Sequence, residues 1–320
     1  MCGGAYPTGI RVERAACVPA AGAVAERLVC GLSTRKYRRA VASVLAAYGI
    51  RKSSVSQYCV RATANQLQPL CERRWEGLGL VALLIDGIEF AGQTLVVALG
   101  AAEDGTKHVL GRWQGATENT TVCKAWLEDL GARGLDPERR SLLVIDGSKA
   151  RRAAIERVFG ARAEGQRCQI HQRRKVVDHL PAPWRADGRR RLGHAYALTS
   201  YAEAKAALEK RWRPLCDINP SAARSREEGR EETLTLHRLG VSPLRRRTLR
   251  STNVIESCLA TVRYVARNVK RWQGGDHLAR WTAAGLLEAE KKFRKVRGYR
   301  ELKELNRILN PELHSQAQVA

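Results

Sequence analysis

Nowhere in these 320 residues does an apolar stretch approach the length needed to cross a bilayer, and the Ala-rich segment from Ala15 to Ala25 is short and broken by Pro19 and Gly22. A soluble, cytosolic chain is expected. The nine cysteines are odd in number and include no Cys-x-x-Cys pair, which argues against a disulfide framework and a zinc ribbon and leaves most of them as small buried apolar residues. No Walker loop, metalloprotease helix or serine-centred nucleophile elbow is present. Acidic residues are also scarce: 32 Asp and Glu stand against 56 Lys and Arg, for a net charge of +24. So many unneutralised cations imply a polyanionic partner, nucleic acid first and an anionic membrane surface as the alternative.

Two stretches stand out against that background. Leu80 to Phe90 is a continuous apolar run that meets a carboxylate, Asp86, followed by Gly87; Ser141 to Lys149 repeats the pattern with Leu142, Leu143, Val144 and Ile145 leading into Asp146, Gly147 and Ser148. Each run predicts a strand buried on both faces that exits at its aspartate. An Asp-Gly pair after such a run is also an ordinary turn signal. The repetition adds a second reading, one shared acidic site.

The first thirty residues carry no clear period and read as an irregular lead-in. In region 31–75, Ser33 can cap a helix through Tyr37, Val41, Val44 and Leu45 that Gly49 ends. A second helix from Ser53 or Ser54 carries Val55, Tyr58, Cys59 and Ala62 on one face. This outline is that of a helix-turn-helix, with Lys52, Ser53, Ser56 and Gln57 near the start of the helix that would enter a DNA groove. A plain helical hairpin fits the same pattern.

Beyond Gly79 the order reads strand, strand, strand, helix, strand, helix, strand: the Asp86 run, Thr94 to Leu99, Lys107 to Trp113 after an Asp104-Gly105 turn, a helix from Thr120 to Leu130, the Asp146 run, a helix from Ala150 to Phe159, and a fifth strand from Gln166 to His171. Residues 76–171 thus form the first part of a mixed α/β core. From 172 to 250 strand signals disappear and Arg-rich helical sequence takes over, with Arg189-Arg190-Arg191 and Arg245-Arg246-Arg247 as basic clusters and Trp184 and Trp212 among the few aromatics. A further helix starts near Asn253 and is expected to run through Val269, with Glu256 at its head and Arg263, Arg267, Lys270 and Arg271 as DNA-binding cations; residues 251–297 complete the core and 298–320 form a tail. Asn253 and Glu256 also satisfy a capping box, which would turn Glu256 onto its own helix. Two aspartates and a glutamate are what phosphodiester chemistry on two magnesium ions requires.

The motifs Leu-Ile-Asp-Gly at Asp86, Val-Ile-Asp-Gly-Ser-Lys-Ala at Asp146, Arg-Cys-Gln-Ile-His-Gln-Arg-Arg-Lys-Val from Arg167 and Ser-Thr-Asn-Val-Ile-Glu at Glu256 together resemble the Mutator-type transposases of bacterial insertion sequences, from about Gly31 onward. The strand order fits the ribonuclease H-like fold, in which the first and fourth strands lie side by side, so Asp86 and Asp146 would leave neighbouring strands at one sheet edge. The resemblance implies that fold with a helical insertion, a DDE triad and metal site at Asp86, Asp146 and Glu256, and Mg2+ as cofactor with Mn2+ as a substitute. It implies double-stranded DNA as partner, a homodimer or larger assembly, and a place at the bacterial nucleoid. Cys168 and His171 match the family's Cys-x-x-His signature and are expected to pack and hydrogen-bond beneath the site rather than hold zinc. Residues 1–30 depart from the pattern, and a copy shortened at its front is expected. Two other readings stay open: a DNA-binding remnant acting through the helix-turn-helix, and a structure-specific nuclease of the same fold.

Overall fold

A computed structural model describes residues 52–210, 219–272 and 274–312. The helix expected between Ser33 and Gly49, and Trp212, lie outside the described residues. The chain divides into two compact units, one of Arg73–Ser257 with Lys292–Ala320, the other of Met1–Glu72 with Cys258–Lys291.

In chain order the helices are α1 (Lys52–Glu72), α2 (Thr120–Ala132), α3 (Lys149–Phe159), α4 (Gln169–Asp178), α5 (Ala182–Ala197) and α6 (Tyr201–Lys210). After these come α7 (Pro220–Glu227), α8 (Thr235–Arg238), α9 (Pro243–Leu249), α10 (Asn253–Ala266), α11 (Gly274–Glu290) and α12 (Leu302–Leu309). The strands are β1 (Leu80–Phe90), β2 (Gln93–Ala102), β3 (Lys107–Gly115), β4 (Ser141–Ile145) and β5 (Ala163–Arg167), lying side by side in the order β3-β2-β1-β4-β5. β1, β2 and β3 are antiparallel neighbours, while β4 runs parallel to both β1 and β5. The result is a mixed α/β unit in which the first and fourth strands are adjacent.

Burial follows the apolar runs. Leu80 to Ile85 and Leu95 to Ala102 are buried throughout, as residues of central strands covered on both faces must be. On one face Leu83, Ile85, Val96, Ala98, Leu143 and Ile145 pack with Cys123, Trp126, Leu127 and Leu130 of α2 and with Ala154, Ile155 and Phe159 of α3. Helix α12 packs on β1 and β4, and Asn310 beyond it exchanges hydrogen bonds with the backbone of Arg140 just before β4. The β2–β3 turn falls at Asp104-Gly105 as expected; Gly105 has φ +84°, and a Cβ there would lie 2.2 Å from that of Tyr299.

Two strand ends differ from expectation. β1 does not stop at Asp86 but continues to Phe90, and the chain turns at Ala91-Gly92, both at positive φ, the geometry of a tight two-residue hairpin. Gly87 to Phe90 belong to a half-exposed strand end and not to a turn. The fifth strand ends at Arg167, and Gln169 to His171 already belong to α4: the Cys168 thiol accepts the His171 amide and its carbonyl the Gln172 amide, which makes Cys168 a helix cap.

The region from α4 to α9 is helical, with its own core of Val176, Val177, Leu180, Leu192, Ala195, Tyr196, Ala204, Leu208, Ala222 and Leu234. Buried Gln166 ties it to the sheet, donating to the Thr233 carbonyl and accepting from the Leu236 amide, and Thr235 donates to the Gly165 carbonyl at 2.6 Å. The Arg245-Arg246-Arg247 cluster is not a solvent-facing patch. Arg245 is buried on Glu301 and Arg246 donates to the Leu198 carbonyl, so only Arg247 is exposed. In the other unit α1 packs against α11, and Gly285 allows close approach of α11 to α10, since a Cβ there would meet Val262 Cα at 2.7 Å. No helix among the described residues is long and apolar enough to cross a membrane.

Candidate active site

The β1–β4 ladder ends at the pair Ile85 and Ile145, and the β4–β5 ladder at Ile145 and Arg167. The next residues, Asp86, Asp146 and Cys168, therefore stand at one level across three neighbouring strands. Asp86 is still paired with β2 on its other side, through Val97, and is only 3% exposed. Asp146 has left its strand, and its side chain is 24% exposed. Each carboxylate is oriented by an amide just after it: Gly87 N donates to Asp86 Oδ1 at 2.9 Å and Ser148 N to Asp146 Oδ1 at 3.0 Å.

Glu256 arrives from the far end of the helical region. The Gln169 amide donates to the Arg250 carbonyl at 2.9 Å, which brings the chain before α10 alongside Cys168. Thr252, fully buried, points its hydroxyl at Cys168 Sγ (3.6 Å) and His171 Nδ1 (3.4 Å), and its carbonyl accepts the amides of Ile255 and Glu256. Thr252 rather than Asn253 thus opens the helix, and the Glu256 carboxylate turns outward, 3.4 Å from His171 Nε2 and 3.3 Å from Arg174 Nη1. Donor atoms of Asp86, His171 and Glu256 all lie within 4.8 Å of one another, a group able to hold a cation. Asp146 stands outside that group, held by Arg151 Nη1 at 3.0 Å.

The electrostatics follow from this packing. Burial pushes the Asp86 carboxyl above its ordinary range, against the opposing effects of the Thr252 hydrogen bond and the His171 charge. The Cys168 side chain, together with nearby Asp86 and Asp146, raises His171 to about 9 despite its burial. Burial alone would raise the Cys168 thiol, but its bonds with His171 bring it below the usual range.

Cys168 is fully buried, while a ring nitrogen of His171 groups with the carboxylates of Asp86 and Glu256. Lys52, Ser53, Ser56 and Gln57 fall on the first turns of α1, with Gln57 exposed. Arg263, Arg267, Lys270 and Arg271 are all exposed. Helix α10 ends at Ala266, however, because the Arg267 and Val269 amides close it with three-residue bonds, so only Arg263 lies within the helix and the other three follow it. Arg267 stacks on Tyr264 at 3.7 Å. The sequence reading gave no role to Arg151, Glu118, Thr252 or Arg174, although Thr252 and Arg174 lie inside the motifs around Glu256 and His171 and Arg151 directly follows the one at Asp146.

Residues 14–295 match the sequence model of the family described as Transposase, Mutator family, reaching further toward the N terminus than Gly31. The chain belongs to the Mutator family of transposases. It is similar to the transposase for insertion sequence element ISRM5 of Rhizobium meliloti (strain 1021), 28% identical over 291 residues, which cover 88% of this chain and 71% of the relative. It is also similar to the transposase for insertion sequence element IST2 of Acidithiobacillus ferrooxidans, 28% identical over 200 residues, 62% of this chain and 66% of the relative. Within this Mutator-family chain the matched span takes in Asp86, Asp146, Cys168, His171 and Glu256.

Proposed function

We propose that this chain is a DNA transposase that cuts the ends of an insertion sequence and joins the freed 3′-hydroxyl to target DNA, with Asp86, Asp146 and Glu256 as the carboxylates of one metal site. The observation that carries the reading is the parallel register of β1 and β4, whose shared end sets Asp86 beside Asp146 while Glu256 and His171 lie against Asp86. The strand order, with β1 next to β4, supports a ribonuclease H-like core.

The donor set fits a hard divalent cation: oxygen donors predominate, and buried Asp86 lies where a positive charge would offset its desolvation. Mg2+ there, or Mn2+ in its place, would supply the activation of water or hydroxyl and the neutralisation of the leaving oxygen, a role two ions share in such sites. The chain's own residues do the positioning. The Gly87 and Ser148 amides fix the two aspartates, and His171 and Arg174 hold Glu256 where it can orient the attacking water or 3′-hydroxyl. Thr252 and Cys168 set the His171 ring.

DNA is held by the net positive charge, by the exposed cations Arg263, Arg267, Lys270 and Arg271, and by Lys52, Ser53, Ser56 and Gln57 of a helix-turn-helix whose second member is α1. Because two element ends must be brought together, the active form is a homodimer or larger assembly. Incubating a labelled element-end duplex with the natural chain and with Asp146→Asn in Mg2+ or Mn2+ tests the reading. Cleaved and joined product from the natural chain alone supports it. Cleavage without joining leaves a nuclease, and binding without cleavage by either protein overturns the catalytic assignment.

A further inference from the structure

The Arg151 guanidinium, in a side chain only 7% exposed, is shared among carboxylates from three separate stretches of chain. Glu118 takes its Nε at 2.8 Å and its Nη2 at 3.0 Å, a two-point grip that fixes the plane of the group, and the Ser148 hydroxyl secures Glu118 at 2.6 Å. Nη1 is left over. It lies 3.0 Å from Asp146 Oδ1 and 3.7 Å from Asp86 Oδ1.

We infer that Arg151 is a built-in counter-cation filling one of two cation positions between Asp86 and Asp146, so that the DNA-free chain binds one divalent ion and not two. The inference rests on reading these carboxylates as metal ligands. The first position lies between the Asp86 and Glu256 carboxylates, which group together beside His171. Asp146 does not join that cluster, its Oδ1 being engaged by both Arg151 and the Ser148 amide. A guanidinium and a divalent ion repel each other as the inverse of their separation, weakly screened in a buried site, so both cannot occupy an interval bounded by contacts of 3.0 and 3.7 Å. Nor is the guanidinium free to swing aside. A Cβ on Gly87 would lie 3.1 Å from Arg151 Nη2, so the strand closes over it, and moving it would strand partly buried Glu118 without its cation. In the DNA-free chain Mn2+ therefore enters the second position only when the guanidinium is removed.

The test counts Mn2+ bound per chain in the absence of DNA, by calorimetry and by the resonance signal of free Mn2+, with circular dichroism to establish folding. The natural chain and Arg151→Lys, which keeps the charge, are expected to bind one ion. Arg151→Gln combined with Glu118→Gln removes the cation and its clamp together while keeping hydrogen-bonding amides, and is expected to bind two; Arg151→Gln alone serves if the pair does not fold. Two ions on the natural chain, or one on the charge-removing variants, overturns the inference while leaving a metal site. No Mn2+ on any folded variant removes the metal site itself, and the inference with it.

Discussion

His237 shows what one buried side chain does to the pH response of the fold. It is 4% exposed, and burial together with the charge of Arg246 holds its pKa down to about 4 from 6.5. Above 6.5 the ring is neutral in folded and unfolded chains alike; between 6.5 and about 4 only the unfolded chain takes up the proton. Stability is therefore expected to fall with falling pH by up to about 1.4 kcal/mol per unit across that window. Denaturant titrations at about pH 7 and about pH 5 should show that loss shrinking in His237→Gln, and an unchanged pH slope would count against the buried neutral ring. At this scale the two aspartates were legible because each ends a buried run at the same local motif. Arg151 and Glu118 were not, since 33 residues separate them and arginines are everywhere in a chain of 56 Lys and Arg. Arg174 meets Glu256 across 82 residues, a distance no local pattern spans.

Among the elements, the two hairpins and the first turn of α10 carry the geometry. Gly105→Ala would put a side chain at φ +84° and into Tyr299, and is expected to cost about 1–3 kcal/mol, read from the denaturation midpoint with β3 otherwise intact. Thr252→Val keeps the shape of the residue that opens α10 but removes the hydroxyl facing Cys168 and His171. It is expected to lower stability by about 1 kcal/mol yet to reduce strand joining by more than that loss explains, since His171 and Glu256 are set through it. Equal losses of folding and joining would reduce Thr252 to a structural part. The element order was readable from turns and apolar runs; the strand boundaries near the site were not. Asp86-Gly87 has the composition of a turn yet stays in β1 because β2 continues to pair with it, and Gln169 to His171 follow a strand yet join a helix because Cys168 caps it.

The molecule as a whole is a polycation, and its DNA affinity should reveal how many of its charges meet phosphate. The logarithm of the binding constant is expected to fall linearly with the logarithm of salt, by about 0.9 per phosphate neutralised. Replacing Arg263 or Lys270 by Ala should lower that slope by about one unit each, whereas Arg246→Ala, whose guanidinium is buried against the Leu198 carbonyl, should leave it unchanged and reduce stability instead. A slope insensitive to Arg263 and Lys270 would move the DNA contact elsewhere.

The bond from the Gln169 amide to the Arg250 carbonyl closes the helical region at its neck. Everything between those two residues departs from one point and returns to it. The distance from Asp146 to Glu256 measured along the chain is thus uncoupled from their distance in space. Helices beyond α4 could be lengthened, trimmed or exchanged without shifting the glutamate, provided the neck, His171 and Arg174 of α4, and the Gln166 tether survive. The chain behaves there as a socket into which different modules could be fitted, leaving the chemistry fixed while the surface presented to a partner changes.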